Sequence, residues 1–220
     1  MELTWHGHSC FRMIERGMAA IVTDPYDESI GYPALKLKAD VVTVSHDARG
    51  HNNVEAVRAQ RAITGPGEYE IGGVFITGIA TGGEKEEKEP KKKGAAEAKR
   101  NTLYLIDFDG LTICHLGDLD SVPTQAQIEA LGSVNVALVP VGGGGGLNAS
   151  QAAEVISLIE PSIVIPMHYK TGDVSLKLDP VSKFLKEMGL GTLKPEASLK
   201  LTHADLPDET RVMLLDYRAG

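Results

Sequence analysis

Seven histidines, spread unevenly along 220 residues, are the side chains best suited to chemistry in this sequence. His46 and His51 stand in the run VVTVSHDARGHNN at 41–53, directly after a β-branched apolar segment, and His168 follows a second such segment in IPMHYKT at 165–171. Loops fed by strands are where a rigid scaffold usually presents its functional groups. A single histidine is most often structural. Three at strand ends offer imidazole nitrogens at loop mouths, a donor type that suits zinc and its neighbours. A catalytic ion of that kind keeps one position open for water. His115, three residues before Asp118, can orient a ligand, replace one or simply pack, and outer-shell support is the favoured role. His6 and His203 read as ordinary.

Other candidates are weaker. Ser9, Cys10 and Ser45 have histidines nearby, but no Gly-x-Ser-x-Gly turn occurs, so covalent catalysis ranks below water activation. The five glycines at 142–146 lack the following Lys-Ser or Lys-Thr of a phosphate loop. Asp24, before Pro25, either braces neighbouring loops or caps a turn.

The elements that must position these residues follow from pattern. Short β-rich runs at 3–5, 10–14, 20–23, 41–45, 61–64 and 69–77, the last broken by Gly72-Gly73, are bounded mostly by Gly, Pro or Asp. They predict a largely antiparallel first half, with one helix over 53–60. From 102 a hairpin turns at Asp109-Gly110, and helices at 124–131 and 150–159 then alternate with apolar strands at 136–141 and 162–166. Asn148 or Ser150 would cap the second of these helices. A helix at 180–188 and strands at 198–202 and 211–216 close the chain. Two strand-rich halves with helices attached predict two packed sheets flanked by helices, with sites on the loops at one end.

Composition narrows the partners. With 42% hydrophobic residues the chain can bury a real core, and its length fits one domain spanning 1–220. The stretch at 84–100, EKEEKEPKKKGAAEAKR, has almost nothing to bury and reads as a charged, solvated insertion. A net charge of -8, with the basic cluster interleaved with acids, argues against a nucleic-acid partner and leaves small-molecule substrates or ligands. Two cysteines form no disulfide framework and suit a reducing compartment. The opening MELTWHGHSC has no basic segment followed by an apolar run, and no stretch reaches the apolar length of a membrane span. A cytoplasmic protein without membrane contact is expected, and a homo-oligomer stays open.

The segments WHGHSCF at 5–11, TDPY at 23–26, VVTVSHDARGHNN, GPGEYEIGGV at 65–74, NTLYLID at 101–107, ICHLGDLD, PVGG at 140–143 and IPMHYKT together resemble the metallo-β-lactamase superfamily, in its zinc-dependent hydrolase branch. The resemblance runs through nearly the whole chain and loses its diagnostic residues after Thr171. It implies an α/β fold, a four-layer αββα sandwich of two mixed β-sheets flanked by helices. Carried over residue by residue, it makes His46, His51, Asp118 and His168 metal ligands, places His8 beside the pocket in contact with substrate or water, and leaves Asp118, His115 and His8 as the catalytic candidates.

The same resemblance marks two departures. The family loop His-x-His-x-Asp-His has Ala48 in place of its second histidine and Gly50 in place of its aspartate, and neither offers a donor atom. One ion at most is therefore expected, held by His51, Asp118 and His168, with zinc first and manganese or iron next. The implied function is metal-dependent hydrolysis of an ester, amide or phosphodiester. The alternative is a non-catalytic descendant that binds a small molecule or a protein in the same cleft.

Overall fold

In the computed structural model, which describes residues 1–82 and 100–217, the first half contributes β1 (Glu2–Gly7), β2 (Cys10–Ile14), β3 (Ile21–Thr23), β4 (Leu37–Lys38), β5 (Val41–Thr43), β6 (Val57–Arg58) and β7 (Arg61–Ile63). There follow β8 (Gly67–Ile71), β9 (Val74–Thr81), β10 (Asn101–Phe108), β11 (Leu111–His115), α1 (Gln125–Leu131), β12 (Val136–Pro140), α2 (Ala149–Ile159), β13 (Ile163–Met167), α3 (Val181–Glu187), β14 (Leu199–Lys200) and β15 (Arg211–Val212). The charged stretch expected at 84–100 lies, but for Arg100, outside the described residues.

Two mixed sheets result. The six-stranded sheet runs β14-β1-β2-β3-β5-β7, antiparallel as far as β3 and parallel from β3 through β7. The seven-stranded sheet runs β15-β13-β12-β11-β10-β9-β8, antiparallel from β8 to β11 and parallel from β11 to β15. Strand periodicity of two explains how the first sheet is buried on both faces. Phe11, Ile21 and Val41 join the main core between the sheets. Their neighbours Cys10, Val22 and Val42 face a smaller cluster with Tyr26, Tyr32 and Leu35.

The parallel strands β12 and β13 are buried along their whole length, as strands covered on both faces must be. On β12 packs α2, whose Ala152, Val155, Ile156 and Ile159 fall on one stripe, with Asn148 and Gln151 forming a capping box at its start. On β9 packs α1, and α3 lies on α2. Over the outer face of the six-stranded sheet the covering layer is built from short pieces. There, among the described residues, the short helical turns Glu28–Ile30 and Val54–Ala56 and the two-stranded β4-β6 ribbon do the covering.

The helix expected over 53–60 is accordingly corrected to one 3-10 turn followed by β6. Asn53 makes no side-chain cap, and the backbone of Val57 and Arg58 finds partners in β4 instead. Among the described residues no helix is long and apolar enough to cross a membrane.

Candidate metal centre

Because β3 and β5 run parallel in one sheet and β11, β12 and β13 run parallel in the other, their exits gather functional loops. Asp24 follows β3, the loop 44–51 follows β5, Asp118 follows β11 and His168 follows β13. The β1-β2 turn brings His8 to the same place. Three of these residues hold left-handed backbone, His8 at φ 51°, Asp24 at φ 38° and His168 at φ 52°. The two other non-glycine cases among the described residues, Asp109 and Glu160, sit in a hairpin turn and a helix C-cap, where such φ is ordinary. Backbone held this way by its surroundings concentrates at functional sites.

Asp24, fully buried, organises the loop after β5. Its Oδ1 accepts the Ser45 backbone N–H at 2.7 Å, and its Oδ2 accepts both the Ser45 hydroxyl at 2.5 Å and His51 Nδ1 at 2.7 Å. Burial pushes the Asp24 carboxyl up, against the pull of His115, the Ser45 hydrogen bonds and His46. With Nδ1–H of His51 given to Asp24, the lone pair sits on Nε2, the arrangement in which a carboxylate orients a metal-binding imidazole. Ser45 has one hydroxyl hydrogen, already directed at Asp24, so it accepts from His46 Nδ1 at 3.0 Å. The His46 and His51 rings lie 4.1 Å apart.

On the other side of His51 stand His8 and His168. The His8 ring is 4.8 Å from that of His51 and 4.1 Å from that of His168, and His51 and His168 are stacked at 5.6 Å. Two sets of donor atoms, each within 4.8 Å of one another, share His51: His8, His51 and His168 form one, Asp24, His46 and His51 the other. Asp118 approaches through His168, Nε2 to Oδ1 at 3.5 Å, and belongs to neither close set. The sequence-derived set of His51, Asp118 and His168 thus comes together at one rim with His8 inside it. Three buried imidazoles, one with its tautomer fixed by a carboxylate, suit a single divalent ion of the zinc type.

His115 does something other than the catalysis for which it is a candidate. Its Nδ1 accepts the Gly117 backbone N–H at 3.1 Å and its Nε2 donates to Ser9 O at 2.8 Å, so both nitrogens serve backbone groups. It braces the β11 exit against the β1-β2 turn. Ser45, considered as a nucleophile, is likewise spent on Asp24 and His46. Asn101, which sequence reasoning passed over, is a further brace: its Oδ1 accepts the Asp118 backbone N–H at 3.0 Å while its Nδ2 donates to Leu116 O and Thr81 Oγ1, each at 3.1 Å. The glycine run after β12 packs on the site, and a Cβ at Gly146 would lie 2.2 Å from Asp118 Oδ1. That close approach explains why no side chain stands there.

A model of the β-lactamase superfamily domain matches residues 2–168, a span that contains every residue of this centre, and the chain belongs to that superfamily. Among its relatives, a UPF0173 protein of Pyrococcus furiosus is 29% identical over 203 residues, covering 86% of this chain and 90% of its own length. A UPF0173 metal-dependent hydrolase of Pelotomaculum thermopropionicum is 30% identical over 198 residues, covering 78% and 85%. A crystal structure from Thermotoga maritima, of a protein assigned to the Zn-dependent hydrolases of the metallo-β-lactamase superfamily, shares 35% identity with a TM-score of 0.75 over 97% of both chains.

Proposed function

We propose that the chain is a cytoplasmic metal-dependent hydrolase that works with one divalent ion, zinc first and manganese or iron next, on a small-molecule ester, amide or phosphodiester. The observation that carries this is the convergence of His51, His168 and Asp118 at one buried rim, with Asp24 fixing the His51 tautomer. The names of the Pelotomaculum and Thermotoga proteins support the same class. A net charge of -8 favours a small substrate over a nucleic acid.

When bound, the ion supplies Lewis acidity, which lowers the pKa of a water and polarises the bond to be cut. The protein's own residues do the rest. His51 and His168 hold the ion, with Asp24 keeping His51 in the right tautomer. Asp118 takes up the proton that hydrolysis releases from water, a task the missing aspartate at position 50 performs in the family motif. Asn101 holds the Asp118 backbone in place for it.

The non-catalytic reading rests on Ala48 and Gly50, which supply no donors. Chromogenic phosphodiesters, esters and amides separate the two. The hydrolase reading predicts turnover by metal-loaded protein that chelation abolishes, reloading restores and His168→Ala eliminates. Turnover that survives both chelation and His168→Ala contradicts it, as does absence of turnover across all three substrate classes under every metal.

A further inference from the structure

We propose that His8 is itself a metal ligand, the third nitrogen of a single-ion site His8-His51-His168 for which the bare backbone of Gly50 makes room. Its only debt to the hydrolase reading is the presence of an ion.

Gly50 faces the His8 ring closely. A Cβ built there would lie 2.7 Å from His8 Nε2 and 3.0 Å from His8 Cδ2, so the His8 ring fills the volume that a side chain at position 50 would claim. Position 50 is where the family loop carries an aspartate, and here an imidazole from the β1-β2 turn stands in that space instead. The substitution that removes a donor from one loop thus admits a donor from another.

His8 is also held rigidly where it is. Its carbonyl accepts the Trp5 indole N–H at 3.0 Å and the His168 backbone N–H at 3.1 Å, tying the β1-β2 turn to the end of β13. The two histidines are therefore joined directly through the backbone. Their donor atoms lie with that of His51 within 4.8 Å, and all three side chains are buried, with 1% to 3% exposure. Three imidazoles from three separate elements, with Asp118 beside them, make the ligand count of a catalytic zinc site, in which the protein supplies three donors and leaves one place open. Neutral nitrogen donors select zinc and its transition-metal neighbours over magnesium or calcium.

The test is a cobalt(II) titration of the chelator-stripped full-length protein, read by visible d–d absorption, with zinc affinity measured by competition against a chromophoric chelator. Wild type should take up one equivalent with the intense bands of a four-coordinate ion. His8→Gln, which keeps a polar side chain of similar reach, should lose more than about 100-fold in affinity, beyond the 10–100-fold typical of outer-shell changes, and should alter the band shape. Gly50→Ala keeps His8 but displaces its ring and should weaken binding too. His203→Gln, remote and ordinary, should leave both readouts alone. If His8→Gln fails to fold by circular dichroism, Gly50→Ala decides.

Affinity and spectrum unchanged in His8→Gln, or in a Gly50→Ala protein that decides alone, would overturn the proposal. If His51→Ala abolishes binding while the His8 and Gly50 variants bind normally, only the role of His8 falls and the hydrolase reading stands. Wild type that binds neither cobalt nor zinc would sink both.

Discussion

Asp24 is the residue on which the geometry of the loop after β5 turns, because its two oxygens hold Ser45 by backbone and side chain and His51 by Nδ1. Asp24→Asn keeps the shape but points an amide at donors that need an acceptor. We expect it to weaken zinc binding by about 10–100-fold, measured by chelator competition, since outer-shell partners of ligating histidines typically count for that much. Affinity equal to wild type would mean that His51 needs no orienting partner. At this scale much was legible in advance. His46, His51, Asp118 and His168 could be picked out because each sits in a run that resembles a family motif, and the three histidines also lie at strand ends. The braces were not. Asn101 and Ser45 carry no distinguishing spacing, and for His115 the favoured supporting role stayed beside a catalytic one because sequence cannot show that both its nitrogens meet backbone. The encounter of His8 with Gly50 depends on two loops from different parts of the sheet meeting in space, which no local pattern encodes.

At the scale of elements, the loop after β11 is tied to β10 through Asn101, which satisfies the Asp118 N–H and the Leu116 carbonyl in a buried setting. Asn101→Ala strands the Asp118 N–H and takes one of two donors from the Leu116 carbonyl, which keeps the Leu119 N–H at 3.2 Å. Leaving a buried polar group unpaired costs about 1–3 kcal/mol, so a loss of that size in unfolding free energy is expected, read by urea denaturation. A loss below about 0.5 kcal/mol would show that water satisfies those groups and that the loop is held otherwise. Strands were the most readable elements, because alternation and Gly, Pro or Asp boundaries located β2 at Cys10–Ile14 and most others to within a few residues, while the short β4 and β6 of the ribbon escaped notice. The helix expected at 53–60 failed for a physical reason. Its apolar residues Val54, Ala56 and Val57 suit a short turn and a ribbon as well as a helix face, and the pairing of Val57 with Leu37 decided between them.

For the molecule as a whole, the two sheets must stay in register if their loops are to share one centre. Tyr104, fully buried on β10, reaches across to donate its hydroxyl to Val44 O at 2.9 Å, at the root of the loop that carries His46 and His51, with Ile63 O at 3.2 Å. Burial pushes its phenol up, which keeps the proton on the oxygen and the donor in place. Tyr104→Phe should cost about 0.5–1.5 kcal/mol in denaturant unfolding and weaken metal binding, while a change in neither would remove Tyr104 from the account. Sequence patterning predicted two packed sheets with flanking helices, and the resemblance supplied the sandwich. Strand order was out of reach, since β14 pairs with β1 from the far end of the chain and nothing local specifies that partner.

The central claim is that separate loops build one ion site, and metal content tests it most directly. Protein purified without chelator and then supplemented with zinc should carry one equivalent by elemental analysis, and His51→Ala and His168→Ala should each lose it. Wild type that stays metal-free after supplementation, or either variant retaining a full equivalent, would contradict the account.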